Sequence, residues 1–231
     1  MAIPKKQLEE FKTAVDESHR ILVFFDDDPD GLASYLQVHS YKSGAIGVSI
    51  RAVPELKTDY LRKVREHNPD LVLIFDMAKV ELDFISKVPC KTIWVDHHDP
   101  QEHGKAIYLN PHIQDKDDNR PTSYWVHQAL NAKLWLATLG CVADWFWPEF
   151  VDDFRKDFLD LLPANITSAP QALFDAPIGV LVQVLSFNMK GTVSDMNKCI
   201  QALGKIQSPY EILNQTSEAG KLVYKKYLQH I

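Results

Sequence analysis

The apolar residues of the chain fall into two kinds of pattern. Residues 20–25, 71–75 and 92–95 are short apolar runs with almost no polar break, and 46–53 is a fourth, looser one closed by Pro54. Such runs suit strands covered on both faces, as in a parallel sheet. Between them lie segments with apolar residues at helical spacing. Residues 5–19 carry Leu8, Phe11, Ala14 and Val15, and 32–43, 56–67 and 80–88 read as further helices. A short fifth strand is expected at 106–109. Strands alternating with helices imply right-handed crossovers and a parallel sheet. The alternation stops near Asn110. From Pro121 onward helices are expected at 121–131, 134–143, 149–162, 170–185, 193–203 and 211–229. The expected fold class is α/β: an open, mostly parallel sheet flanked by helices, followed by a helical C-terminal half.

Composition narrows the class without naming a function. The 231 residues suffice for a core without disulfide or metal staples. Hydrophobic residues at 45% and charged residues at 24% are ordinary for a globular chain. No apolar run reaches the ~18 residues of a membrane helix, so no membrane partner is expected. The charged N-terminus lacks a signal-peptide core. Cys90, Cys141 and Cys199 are widely spaced, which suits reduced thiols and a cytoplasmic location. The formal charge is −6, and no basic tail or patch is visible, which disfavours a general polyanion binder.

The chemistry lies where the expected strands end. In an open parallel sheet, ligands sit beyond the carboxyl ends of the strands. The first strand runs into Asp26-Asp27-Asp28-Pro29-Asp30-Gly31, the third into Asp76 and the fourth into Asp96-His97-His98-Asp99. Another acid, Asp144, ends the otherwise apolar stretch Gly140-Cys141-Val142-Ala143. One such acid alone reads as a helix cap or turn residue. Asp26, Asp28, Asp30 and Asp76 on one edge repel strongly unless counter-charge is present. Two divalent cations supply it. Carboxylates with one or two imidazoles form a harder set than zinc prefers, which favours two Mn²⁺ ions, with Mg²⁺ second. Paired ions about 3.5–4 Å apart are the arrangement of phosphoryl-transfer sites.

Taken in order, Asp26-x-Asp28-x-Asp30-Gly31, Asp76, Asp96-His97-His98 and Gly140-x-x-x-Asp144 resemble the four motifs of the DHH phosphoesterase superfamily. The first motif is similar to that of the RecJ-like branch of single-strand exonucleases. The pyrophosphatase and nanoRNase branches carry a His four residues before the equivalent of Asp28, where this chain has Phe24. The resemblance implies a metal-dependent phosphodiesterase acting on single-stranded nucleic acid or short oligonucleotides. It implies one metal on Asp26, Asp28 and Asp76, and a second on Asp30, Asp76, His97 and Asp144, with Asp76 bridging. His98 would contact the substrate phosphate and Asp96 would orient the histidines. The resemblance implies a hydroxide shared by two Mn²⁺ that would attack phosphorus in line. The alternatives are a hydrolase of small phosphoanhydrides or cyclic dinucleotides, and a non-catalytic scaffold in a replication or repair complex. A scaffold commonly loses motif acids, and all of them are present here.

The fuller enzymes of the superfamily carry a second domain with a Gly-Gly-Gly-His motif, and this chain has no Gly-Gly. A single catalytic domain over 1–231 is expected, with a sheet core at 1–112, a helical portion at 113–231 and the second domain absent. Pro121 with Thr122 and Ser123 reads as a helix start. The functional alternative is an anion site at that N-terminus, with Arg120 or His112 on a substrate phosphate. Trp135, Trp145 and Trp147 are candidates for stacking on a base, although clustered tryptophans more often belong to a core.

Overall fold

The structure, a computed structural model, describes residues 2–51 and 55–229. The strands are β1 (Ile21–Asp26), β2 (Ile46–Ile50), β3 (Glu55–Leu56), β4 (Leu71–Phe75), β5 (Lys79–Val80), β6 (Lys91–Val95) and β7 (Ile107–Leu109). Five of them form one sheet in the order β2-β1-β4-β6-β7, with every pairing parallel. β3 and β5 form a separate parallel ribbon. In the first half the helices are α1 (Lys5–Glu17), α2 (Pro29–Tyr41), α3 (Leu61–His67) and α4 (Leu82–Lys87). The helical half holds α5 (Thr122–Leu130), α6 (Leu134–Ala143), α7 (Val151–Phe158), α8 (Ala169–Asp175) and α9 (Pro177–Asn188). It ends with α10 (Val193–Lys205), α11 (Pro209–Leu213) and α12 (Glu218–Leu228).

The unbroken apolar runs are explained by burial on both faces of the sheet. Val23, Phe25, Leu73, Phe75, Ile93 and Val95 pack into the larger core with α1, α2, α5 and α6. Their neighbours Leu22, Phe24, Val72, Ile74 and Trp94 pack into a second core with Val64, Phe84 and Ile85. From β1 the chain steps outward to β2 and returns to β4 on the other side. The strand order therefore reverses between β1 and β4, and the crevice at such a switch point is where open α/β sheets place ligands.

The α/β class and the helical second half agree with the sequence pattern; several element bounds do not. α2 begins at Pro29, three residues before the expected start, because Pro29 occupies the first helical position and the Asp28 side chain accepts from Gly31 N at 2.8 Å. The helix expected at 56–67 is shortened to α3, since Leu56 pairs with Val80 in the ribbon. The same pairing delays the helix expected at 80–88 until Leu82. The helix expected at 170–185 is broken by Pro177. Ala176 is extended at ψ 153, as a residue before proline prefers, and α8 and α9 meet at 84°. The helix expected at 211–229 is split into α11 and α12, each with a serine cap, Ser208 and Ser217. The expected end of the second strand, Val53 with Pro54, lies outside the described residues.

Candidate metal centre

The centre is built on the ends of β1, β4 and β6, closed by the start of α5 and the end of α6. Asp26 is the last residue of β1, and Asp28 caps α2. The first turn of α2 rests on the Asp26 backbone so closely that only Gly31 fits there. A Cβ at that position would lie 2.8 Å from the Asp26 carbonyl oxygen and 2.9 Å from its nitrogen. Gly31→Ala gains about 1 kcal/mol in helix propensity and loses about 1–3 kcal/mol to overpacking. A lower urea midpoint and weaker divalent-metal affinity are expected together, because the clash pushes Asp26 and Asp28 apart.

Asp30 is buried at 1% exposure and turns toward α5. Its two oxygens accept from Thr122 N at 2.8 Å and Ser123 N at 3.0 Å. The positive end of α5 thus holds an acid of the protein itself. The amides that the sequence offered to a substrate phosphate are those Asp30 uses. α6 crosses the same point at Gly140, where a Cβ would sit 2.3 Å from Ser123 Oγ and 3.0 Å from Asp30 Oδ1. Gly140, four residues before Asp144, is thereby a requirement of close approach.

Asp76 follows β4 and is 1% exposed, with a left-handed backbone at φ 57. Aspartate tolerates that region because its short side chain bonds locally. Asp76 N donates to Val95 O at 3.0 Å, extending the β4–β6 ladder by one step and fixing the side chain over the switch point. Its Oδ1 accepts from Thr122 Oγ1 at 3.3 Å and lies 3.3 Å from His97 Nε2. The other His97 nitrogen, Nδ1, is 3.6 Å from Asp144 Oδ2. His98 Nδ1 is 2.8 Å from Asp96 Oδ1 and 4.0 Å from Asp76 Oδ1. Asp96, fully buried, also accepts from Tyr108 Oη at 3.0 Å and Asn110 Nδ2 at 3.2 Å.

Two sets of donors come together: Asp26, Asp28 and Asp76, and Asp76, His97 and His98, each set within 4.8 Å of one another. Donors about 2.0–2.2 Å from an ion are up to ~4.4 Å apart, so each set is near the dimensions of one cation site. Asp76 belongs to both. Burial raises the Asp26 carboxyl to about 6 and the Asp144 carboxyl to about 7, with Asp28 adding repulsion to each. Burial also holds Asp30 and Asp76 well above the carboxylate range, reinforced by Asp144 and Asp28 respectively. Burial lowers His97 to about 4, which leaves it neutral with a lone pair to give. The bond to Asp96 raises His98. Clustered carboxylates raised by burial and mutual repulsion, beside a neutral imidazole, fit dications well.

The other site residues named from sequence are not members of these two sets. Asp30 and Asp144 stand next to them, Asp30 through α5 and Asp144 through His97. Arg120, a candidate for substrate binding, gives its guanidinium to Asp118, with Nη2–Oδ2 at 2.7 Å, and lies 4.9 Å over the Trp125 ring. Among the described residues it makes no contact with the acidic cluster. Trp135 is a core residue at 4% exposure, and Trp147 lies beneath Arg155 at 5.7 Å. Trp145 is 61% exposed, next to Asp144, with its ring 6.0 Å from Phe174. Tyr108 and Asn110, which hold Asp96, were not singled out in sequence. Their signal is the register Val95↔Leu109, which sets both beside Asp96.

Fold and centre together define a class: a doubly wound parallel α/β domain with a carboxylate–histidine cluster at its switch point. Among solved structures the chain is similar to exonuclease RecJ bound to manganese, with a TM-score of 0.64 and 16% identity over 99% of this chain and 66% of that one. It is also similar to RecJ from Thermus thermophilus in complex with Mn²⁺, with a TM-score of 0.62 and 19% identity over 99% of this chain and 38% of that one. The DHH domain of a member of a family of ribosomal proteins matches with a TM-score of 0.62 and 13% identity over 99% of this chain and 63% of that one. The chain thus spans less than two thirds of each of these proteins. No family model matches the chain, and no curated protein matches it in sequence. The chain shares its fold with these RecJ structures and with that DHH domain.

Proposed function

We propose that the protein is a divalent-metal-dependent phosphoesterase that cleaves phosphodiester bonds in single-stranded nucleic acid or short oligonucleotides. The observation that carries this reading is Asp76, a fully buried carboxylate shared by two three-donor sets at the switch point of the sheet. Asp26, Asp28 and Asp76 would hold one ion. Asp76 and His97, with Asp144 and the lone pairs that Asp30 has left, would hold the other. The donor set suits Mn²⁺, with Mg²⁺ second. Bound ions supply a nucleophilic water at neutral pH and Lewis-acid stabilisation of the phosphoryl oxygens.

The protein's own groups do the positioning. His98 is held at Nδ1 by Asp96, which leaves Nε2 to donate to a non-bridging phosphate oxygen. Its side chain is 40% exposed, whereas Asp96 is fully buried, so the pair spans the boundary between core and cleft. Asp96→Asn keeps the shape but weakens the bond that orients His98. A kcat about 10–100-fold lower is expected, with KM and the number of bound Mn²⁺ ions unchanged. Steady-state kinetics with equilibrium dialysis checks this.

Phe24 supports a phosphodiesterase over a pyrophosphatase. It is fully buried in the second core, with its ring centroid 5.5 Å from Phe84 and 6.0 Å from Tyr60. The test is incubation with Mn²⁺ and end-labelled single-stranded DNA and RNA, alongside pyrophosphate and a cyclic dinucleotide. Shortened oligonucleotides that vanish in EDTA are expected. Turnover of pyrophosphate alone, or of no phosphoester at all, overturns the proposal.

A further inference from the structure

The free edge of the main sheet carries a concentration of positive charge that the sequence does not display. β2 is an edge strand. A cavity of about 1210 Å³ runs along it, lined by β2, α10 and the segment from Tyr60 to His67. Arg51, Arg62, Lys63, Lys190 and Lys205 line it, with Asp27 as the one lining carboxylate among the described residues. The chain as a whole is −6, so the lining of this groove has the sign opposite to the net charge. Arg62 and Lys63 share Glu66, at 3.1 and 2.9 Å. Lys190 and Lys205 are exposed and make no ion pair among the described residues. Between these cations the lining mixes apolar Val48, Val193, Met196 and Ile200, with Tyr60 beside them, and polar side chains such as Asn197 and Gln201.

One end of this groove adjoins the metal centre. Asp26 is in register with Ile50, and Arg51, the residue after that strand, has its Nε 4.0 Å from Asp27 Oδ2. Asp27 stands between Asp26 and Asp28, both in the first donor set. The other end lies toward Gly44, at the start of β2. Five strand residues at ~3.3 Å each give a path of about 16 Å. Cations along a path with an apolar and aromatic floor are the arrangement that binds single strands without sequence preference.

We infer that this groove is the track for the single strand that extends beyond the scissile phosphate. Its phosphates lie against Lys190, Lys205, Arg62 and Lys63, and its bases over Val193, Met196 and Tyr60. The inference rests on the phosphodiesterase reading, since continuity with the metal centre is what favours a nucleic acid over an acidic peptide added to the edge of β2. The charges come from the residue after β2, the first turn of α3, the turn after α9 and the end of α10, which is why no basic segment is legible along the chain.

The test uses the full chain with the double variants Lys190→Glu/Lys205→Glu and Lys190→Gln/Lys205→Gln. Binding of fluorescent phosphorothioate dT12, which resists hydrolysis, is measured against salt. In the Glu pair the Kd is expected to rise at least tenfold, with the Gln pair between it and the wild type. Two lost phosphate contacts lower the slope of log K on log salt by about 1.4. Mn²⁺-dependent kcat/KM on a dinucleotide, too short to occupy the groove, stays unchanged. Equal loss on dT12 and the dinucleotide overturns the inference, as does unchanged dT12 affinity, or tighter binding of polyglutamate than of dT12. If dinucleotides are cleaved while the variants bind dT12 normally, the groove fails and the enzyme stands. If the wild type cleaves nothing yet binds dT12 through these lysines, the enzyme reading fails and the groove stands as a single-strand binding surface without a scissile phosphate.

Discussion

Asp76→Asn is expected to remove turnover while leaving the fold intact. Asparagine keeps the side-chain shape and suits the left-handed backbone at φ 57. It also keeps an oxygen for the Thr122 hydroxyl at 3.3 Å. What it removes is the carboxylate common to both donor sets. Losing the ligand common to two cations forfeits several kcal/mol of transition-state stabilisation, which at 1.36 kcal/mol per decade is about 10³-fold or more in rate. Without metal the variant is expected to melt no lower than the wild type, because Asp76 is a buried acid among Asp28, Asp30 and Asp96. Assays of turnover and melting on the same preparation separate the two effects. A variant retaining a tenth of wild-type activity contradicts a bridging role.

The second large effect is a metal-dependent stability that grows with pH. In the metal-free protein burial raises Asp26 to about 6 and Asp144 to about 7, and it also holds Asp30 and Asp76 well above the carboxylate range. An unfolded carboxyl titrates near ~4. Between ~4 and about 7 the folded state therefore binds more protons than the unfolded one, and the contribution of these groups to stability falls as pH rises through their folded values. Mn²⁺ bound by these acids would take the place of those protons. Its stabilisation is therefore smallest near pH 5 and increases through pH 7. At 100 times the dissociation constant it amounts to about 2.7 kcal/mol per site, or roughly 5–10 °C in Tm for a chain of this size. Calorimetry with Mn²⁺ or EDTA at matched pH isolates the difference from all other carboxylates. A Tm difference that is flat in pH contradicts the assignment of these acids to the metal.

The sequence made the strands legible because burial on both faces leaves runs without polar residues, as at Leu71–Phe75. It made the donor set legible because acids at strand ends have few other reasons to gather. Asp26, Asp28, Asp76 and His97 could be named from their place after such runs. The role of Asp30 at α5 was not legible, since Thr122 stands 92 positions away and only the packing of α5 and α6 over α2 brings it near. Tyr108 and Asn110 required the exact register of a three-residue strand. Helix bounds failed where a local signal competed with the apolar period. Pro177 and Ser217 each interrupt an amphipathic stretch that otherwise reads as one helix. The basic groove was hidden for the opposite reason, with each cation isolated in sequence and the group assembled only by the sheet edge.

The central claim is a two-cation centre with Asp76 common to both sites. Equilibrium dialysis against Mn²⁺ at pH 8 counts the ions directly in the wild type and in Asp76→Asn. Two Mn²⁺ per wild-type chain are expected, and none held with comparable affinity in the variant. A wild-type chain that binds one ion or none, or a variant that still binds two, contradicts the account.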